Sequence, residues 1–287
     1  MGRNMKKTSL VLEGGGLRGA FTAGALAWLI DNDISFDNAY GISTGAVYLA
    51  NYLIKDKQKL FDISTKYIND KRDIGIRPLL RTGRLVDYDD LFYRGLRDFL
   101  GFDMDLVNKV KKPYSQIGLY ELEQGKTVYK DFSKCSLDEL KASTSLPIIG
   151  KITECEGRHI LDGGITDMIP IEKSVEDGCD RHLIITTKPY DYVRKPAKEF
   201  VIWLMKKTYP MCENISEDYR VRHINYQKQI GLIKELEEKG RAVYIYPTKT
   251  SKVSRLGGTC EQLAELYELG YQDMENRREE ILSLFGK

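Results

Sequence analysis

One grammar runs twice through the first part of the chain: an apolar run, a glycine turn, and a helix-like stretch of small and apolar residues. Thr8-Ser9-Leu10-Val11-Leu12 ends in Glu13-Gly14-Gly15-Gly16, and residues 17–30 place Ala20, Phe21, Ala23, Gly24, Ala27, Trp28 and Ile30 at helical spacing. Residues 38–42 form a second strand candidate and 44–54 a second helix. Strands that feed helices through tight turns build a parallel sheet, because the helix carries the chain back to start the next strand in the same direction. The expected fold is α/β, a single domain with a central, mostly parallel β-sheet flanked by helices. At 287 residues, 42% of them hydrophobic, the chain is large enough to bury that core.

Residues 57–70 read as a surface helix, whereas 77–102 mix Arg, Asp, Tyr, Leu and Phe without a clean period. Alternation over 115–129, broken at Gln124-Gly125-Lys126, predicts a hairpin. Ser136 with Glu139 three residues on forms a capping box that opens a helix over 137–143. Residues 148–153 and 158–161 bracket a second hairpin that leads into Asp162-Gly163-Gly164. A helix over 169–177 and a strand over 182–187 follow, then helices over 195–207 and 215–239, a strand over 242–246 and a closing helix over 261–284. The expected division is a core over 1–190 and a mostly helical C-terminal extension over 191–287, packed on the same domain.

With 44 Lys+Arg against 42 Asp+Glu, the net charge of +2 gives no pull toward nucleic acid, and no such partner is expected. Cys135, Cys155, Cys179, Cys212 and Cys260 contain no C-x-x-C pair, which argues for reduced thiols rather than a zinc site or disulfide framework. Three histidines leave little room for a histidine-rich metal site. Residues 1–8 carry Arg3, Lys6 and Lys7, but the apolar stretch 10–12 is too short for a signal-peptide core, and no run of 18 apolar residues exists. The expectation is a cytoplasmic protein with no cofactor and no metal.

Gly14-Gly15-Gly16-Leu17-Arg18-Gly19 lies between strand and helix, where backbone N–H groups and the helix N-terminus favour an anion, either a phosphate or a developing oxyanion. The string also fits G-x-G-x-x-G, but dinucleotide binding expects an acid at the end of the second strand, where Gly41-Ile42-Ser43 stands; Asp31, Asp33 and Asp37 lie in the connection before it. Gly41-Ile42-Ser43-Thr44-Gly45 is a G-x-S-x-G at a strand-to-helix turn, the arrangement that projects a serine nucleophile, although a serine N-cap has the same surroundings. Such a serine needs a base. His159, His182 and His223 lie in predicted strands or a charged helix, and Asp162, at a strand end before two glycines, is the better placed candidate.

The three motifs in this order, GGGLRG, GISTG and DGG, resemble the patatin-like phospholipases over residues 8–190, as do residues 20–26 and Ala142-Ser143-Thr144-Ser145-Leu146-Pro147. The resemblance implies a serine-dependent lipid acyl hydrolase with a Ser–Asp dyad: Ser43 as nucleophile and Asp162 as base. It implies an oxyanion site from the amides of Gly14, Gly15 and Gly16, assisted by Arg18, with Gly19, Gly41, Gly45, Gly163 and Gly164 shaping the turns. A conventional Ser–His–Asp esterase using His182 or His223, or an anion binder using the Gly14 loop, are the alternatives. The implied substrate is a fatty-acyl ester, reached by transient contact with a membrane surface. Residues 199–211, with Phe200, Trp203, Lys206 and Lys207, suit that contact, although an apolar helix face more often belongs to the core. Residues 79–102 are the other candidate, as a cover over the site.

Overall fold

The structure is a computed structural model and describes residues 6–67 and 72–285. Arg3 and the end of the helix expected over 57–70 lie outside the described residues.

β1 (Thr8–Leu12) leads through a 3-10 turn at Gly16–Gly19 into α1 (Ala20–Asp31), and β2 (Asn38–Ile42) leads through Ser43 into α2 (Thr44–Leu53). Then come α3 (Lys57–Asp62), α4 (Ile76–Thr82), a wide π-type helix at Asp90–Phe99, and α5 (Met104–Lys109). The hairpin β3 (Tyr114–Glu121) and β4 (Lys126–Asp131) precedes α6 (Leu137–Ala142), whose Ser136–Glu139 capping box is formed as expected. The second hairpin, β5 (Thr153–Cys155) and β6 (Arg158–Asp162), is followed by α7 (Ile171–Glu176), β7 (Arg181–Ile185), α8 (Glu199–Thr208) and α9 (Ile215–Glu238). β8 (Ala242–Ile245), α10 (Cys260–Asn276) and α11 (Arg278–Leu284) close the chain.

Among the described residues the strands form one sheet in the order β5-β6-β3-β2-β1-β7-β8, with β4 also paired to β3. β3, β2, β1, β7 and β8 are parallel, and the antiparallel strands are confined to one side. The register on β3 sets up the site. One edge of β3 pairs first with β2, ending at Ile42↔Gly118, and then with β6, beginning at Leu119↔Asp162. β4 occupies the opposite edge throughout. Because β6 runs against β3, the ends of β2 and β6 meet head to head, which brings Ser43 and Asp162 together from 119 positions apart in sequence.

Alternation along the strands divides the core. Leu10 and Leu12 join α1, α2 and α10 on one face, with Phe21, Leu26, Tyr48 and Leu263 fully buried. Val11, Tyr40, Ile184 and Tyr244 point to the other face, under α7 and α9. The C-terminal third is therefore not an appendage to a finished core, since β8 extends the sheet and α10 packs on α1.

Three sequence expectations shift. The closing helix is two, broken at Arg277, whose side chain bonds the Tyr244 carbonyl and the Glu237 and Glu280 carboxylates. The strand expected over 148–153 is present only from Thr153, because Leu146–Gly150 closes into a turn with Ile148 at φ 71°. The stretch 77–102 lacks a 3.6-residue period because much of it is a π-type helix, in which Leu100 N–H bonds the Gly95 carbonyl five residues back.

Candidate active site

Ser43 has φ 55° and ψ −131°, a backbone conformation that costs a non-glycine residue energy and persists only where packing fixes it. That packing is tight. A Cβ on Gly41 would lie 2.7 Å from Ala46 Cα, and one on Gly45 would lie 2.8 Å from the Glu13 carbonyl oxygen. Asp162 sits at the matching end of β6, where a Cβ on Gly163 would lie 2.6 Å from the Gly118 carbonyl oxygen. Its Oδ1 accepts the Gly164 N–H at 2.7 Å, and the Ser43 hydroxyl is near enough to this carboxylate to lower its pKa. Burial raises the Asp162 pKa above the ordinary aspartate value, while Ser43, the Gly164 hydrogen bond and the charges of Arg222 and Arg255 oppose it; burial wins. A carboxylate in this state is a better base than one in water.

The glycine loop passes directly over the serine, and a Cβ on Gly14 would lie 2.7 Å from Ser43 Cβ. Its three amides are not equivalent. Gly14 N–H bonds the Met168 carbonyl at 3.4 Å and Gly15 N–H bonds Thr44 Oγ1 at 3.1 Å, whereas Gly16 N–H has no acceptor among the described residues. Of the three amides expected to face an oxyanion, that of Gly14 is thus held by a carbonyl, that of Gly15 by a hydroxyl that can turn away, and that of Gly16 by no acceptor among the described residues. Arg18 is half-buried with its Nε unpartnered among the described residues, and Gly19 lies under the Tyr48 ring.

Beneath the loop, fully buried Glu13 bonds Lys188 Nζ at 2.8 Å and the Thr187 N–H and hydroxyl at 2.6 and 2.8 Å. Although burial opposes its charge, these partners hold the Glu13 carboxyl below its usual pKa, while burial pulls Lys188 down to about 7, and the bonded pair ties the ends of β1 and β7 together.

Two cavities meet at Ser43. The first, of about 680 Å³ counted out to its mouth, is apolar and lined by Val47, Ile74, Val86, Leu91, Phe92 and Leu96 among others. The second is polar and brings Gly14, Gly15, Gly16 and Asp162 together with Arg194, Arg222 and Arg255. The segment expected as a cover thus forms the wall of the apolar cavity through its inner side chains. α8 is divided as well. Ile202 and Met205 are core, Val201 and Leu204 face a groove that reaches Asp162, and Phe200 and Trp203 are exposed.

The histidines are elsewhere. His159 pairs with Glu123 on the surface, and His223 bonds the Arg220 carbonyl. His182 is buried against Ser9 and Ser174, with its pKa pushed down to about 4 by burial. In register it lies opposite Ser9, three residues short of the sheet end that carries the site, or about 10 Å at ~3.3 Å per residue.

The sequence offered little sign of Thr44, Arg194, Arg222 or Arg255 as part of this site. The strongest local hint is Arg255-Leu256-Gly257-Gly258, a cation beside a glycine turn, whose Arg255 carbonyl accepts the Leu17 N–H at 3.0 Å.

A model of the patatin-like phospholipase family matches residues 10–174, and one of a domain of unknown function, DUF6363, matches 212–286. The Escherichia coli protein YjjU, described as uncharacterized, is 26% identical over 271 residues, which are 92% of this chain and 75% of YjjU. The crystal structure of VipD from Legionella pneumophila superposes with a TM-score of 0.53 at 12% identity, covering 95% of this chain and 66% of VipD. This chain spans just under two thirds of VipD, and at that identity the likeness concerns the fold. Since the matched stretch runs from the glycine loop past the Asp162 turn and covers more than half of the sequence, the chain belongs to the patatin-like phospholipase family.

Proposed function

We propose that the protein hydrolyses fatty-acyl esters through a Ser43–Asp162 dyad and an acyl-enzyme. The observation that carries this reading is the placement of a strained, buried serine and a buried aspartate on one cavity, with the serine also at the mouth of an apolar cavity. The acyl chain enters the apolar cavity and presents its carbonyl carbon to Ser43 Oγ. As the Oγ–C bond forms, the Ser43 proton passes to Asp162, and the carbonyl oxygen becomes an oxyanion that receives Gly16 N–H and, once Thr44 turns away, Gly15 N–H. Collapse breaks the ester bond, and Asp162 returns the proton to the leaving alcohol. A water then gives its proton to Asp162 and attacks the acyl-serine, and release of the fatty acid restores the Ser43 hydroxyl.

Among the described residues no helix is long and apolar enough to cross a membrane. Exposed Phe200 and Trp203 stack at 5.8 Å, with Lys207 Nζ 5.1 Å from the Trp203 ring, beside the groove to Asp162. An aromatic pair flanked by lysine suits contact with a bilayer interface.

The test is hydrolysis of an acyl ester by Ser43→Ala, Asp162→Asn and each histidine-to-alanine variant, with fluorophosphonate labelling of Ser43. Loss of about 10³-fold or more in Ser43→Ala and Asp162→Asn, with activity kept in all three histidine variants, is the expected pattern. A histidine variant as inactive as Ser43→Ala would overturn the dyad.

A further inference from the structure

The polar cavity holds more positive charge than the hydrolysis of an uncharged ester requires. Arg194, Arg222 and Arg255 line it together with Ser43 and Asp162, and Arg18 stands close enough to Arg194 and Arg255 to feel their charges. None of the four has a carboxylate within ion-pair distance among the described residues, and the Nε atoms of Arg18 and Arg194 are buried without an acceptor there. The nearest acids are otherwise engaged: Glu13 by Lys188, and Asp162 by Ser43 and Gly164.

What fixes these side chains does not neutralise them. The Arg194 guanidinium lies 4.7 Å from the Tyr226 ring centroid and that of Arg222 lies 5.3 Å from Tyr219, while Arg222 Nε donates to the Gly164 carbonyl at 2.5 Å. Aromatic faces and a carbonyl orient a cation and leave its charge available. Like charges gathered in a partly buried basin repel one another, and a bound anion relieves that repulsion while filling the vacant donors. Arg194 and Arg222 line the polar cavity and not the apolar one, while Ser43 and Arg255 line both, so an ester at Ser43 with its acyl chain in the apolar cavity has its alcohol part beside the arginines.

We infer that Arg194, Arg222 and Arg255, with Arg18, form a clamp for a phosphate on the alcohol side of the scissile ester, and that they select phosphate-bearing lipids over neutral acylglycerols. The inference rests on the hydrolase reading above. It also gives the C-terminal third a task at the site, because Arg222 and Arg255 fall within the stretch matched by the domain of unknown function.

The experiment compares two substrates with the same acyl chain, 1-lauroyl-glycerol 3-phosphate and 1-lauroyl-glycerol, presented to the full chain in neutral detergent micelles. The expected kcat/KM ratio favours the phosphate by about 10–100-fold, the range of charge-assisted hydrogen bonds to phosphate. Arg194→Gln and Arg255→Gln each cut that ratio about tenfold, mainly through KM on the phosphate-bearing substrate, and Arg194→Lys restores part of it. A ratio near one in the wild type, or an equal fall on both substrates in the variants, overturns the clamp.

Binding is measured in parallel by calorimetry on the Ser43→Ala protein, which keeps the clamp testable if neither lipid is turned over. There 1-lauroyl-glycerol 3-phosphate binds more tightly than 1-lauroyl-glycerol, and Arg194→Gln removes the difference. Absent turnover with charge-dependent binding sinks the hydrolase reading alone; charge-independent binding sinks the clamp. Inorganic phosphate that displaces the lipid phosphate at equal concentration would assign the basin to free phosphate and overturn the head-group assignment.

Discussion

The proposed mechanism asks two things of Asp162 that conflict in water: to work as a carboxylate and still accept a proton from a serine. The fold balances them by burying the carboxylate, which raises its pKa, and by surrounding it with Ser43, Gly164, Arg222 and Arg255, which keep the rise in check. As the proposed base, Asp162 works only when ionised, so activity is expected to fall as pH drops through a value above that of an ordinary aspartate. Arg222→Gln removes one restraining charge and moves this acid limb of kcat/KM upward, a shift that a pH–rate profile on a neutral ester measures. The same group bears on stability with a definite sign. A folded pKa raised above the unfolded one makes the ionised form a cost to the fold, present above the folded pKa and relieved as pH falls through it. Asp162→Asn therefore raises the melting temperature at neutral pH while abolishing turnover. Glu13 has the opposite sign, and Lys188→Met strands its charge in the core. The expected loss is about 3–5 kcal/mol in urea titration, with Glu13→Gln in the same background restoring part of it. Ser43, Asp162 and the glycine loop were legible in the sequence because each is a local motif whose residue types match its backbone geometry. Arg194, Arg222 and Arg255 were not, because in a chain with 44 basic residues nothing local separates an arginine in a site from one in solvent.

At the scale of elements, legibility followed the regularity of the backbone. The strand–turn–helix units at the start, the first hairpin and the capping box of α6 appear where the sequence placed them, whereas the second hairpin begins only at Thr153. The wall of the apolar cavity did not declare itself, since its π-type helix puts Leu91 and Leu96, five residues apart, on the same cavity, and a search at helical period passes over such spacing. α8 was ambiguous for a different reason: it presents three faces, to the core, to the groove and to solvent. Its outer face is 67% exposed at Phe200 and 54% at Trp203, a poor use of aromatic residues unless something apolar covers them. The double variant Phe200→Ser, Trp203→Ser is expected to lower hydrolysis of lipid in vesicles about tenfold or more, with a smaller effect on a water-soluble short-chain ester. Vesicle sedimentation checks the cause, because the variant should also bind lipid more weakly. Equal loss on both substrates would instead place α8 in the structural support of the site.

For the molecule as a whole, the question is whether residues after the family-matched stretch form a separable attachment or a part of the catalytic body. The sequence suggested a core over 1–190 with helices packed upon it, and motifs alone cannot say how closely. The structure brings several independent ties into view. β8 pairs with β7 and extends the parallel sheet, and α9 covers the face that holds Val11 and Tyr40. Gly24 of α1 and Gly270 of α10 each face the other helix's backbone, Tyr267 O and Phe21 O, so closely that a Cβ on either glycine would collide with it. At the site, Gln229 of α9 accepts the Met168 and Ile169 N–H groups just beyond the Asp162 turn, and the Arg255 carbonyl holds the Leu17 amide of the glycine loop. A chain ending at residue 211 keeps all three motifs but loses these ties, exposes the β7 edge to pairing with other chains, and uncovers apolar surface on both faces of the sheet. Such a chain should aggregate or show no cooperative thermal transition, and its Ser43 should not label with a fluorophosphonate, whereas the full chain melts in a single transition and labels. A truncated chain that stayed monomeric, melted cooperatively and reacted at Ser43 would make the C-terminal third an attachment, and the arginines it supplies an addition to a site already complete without them.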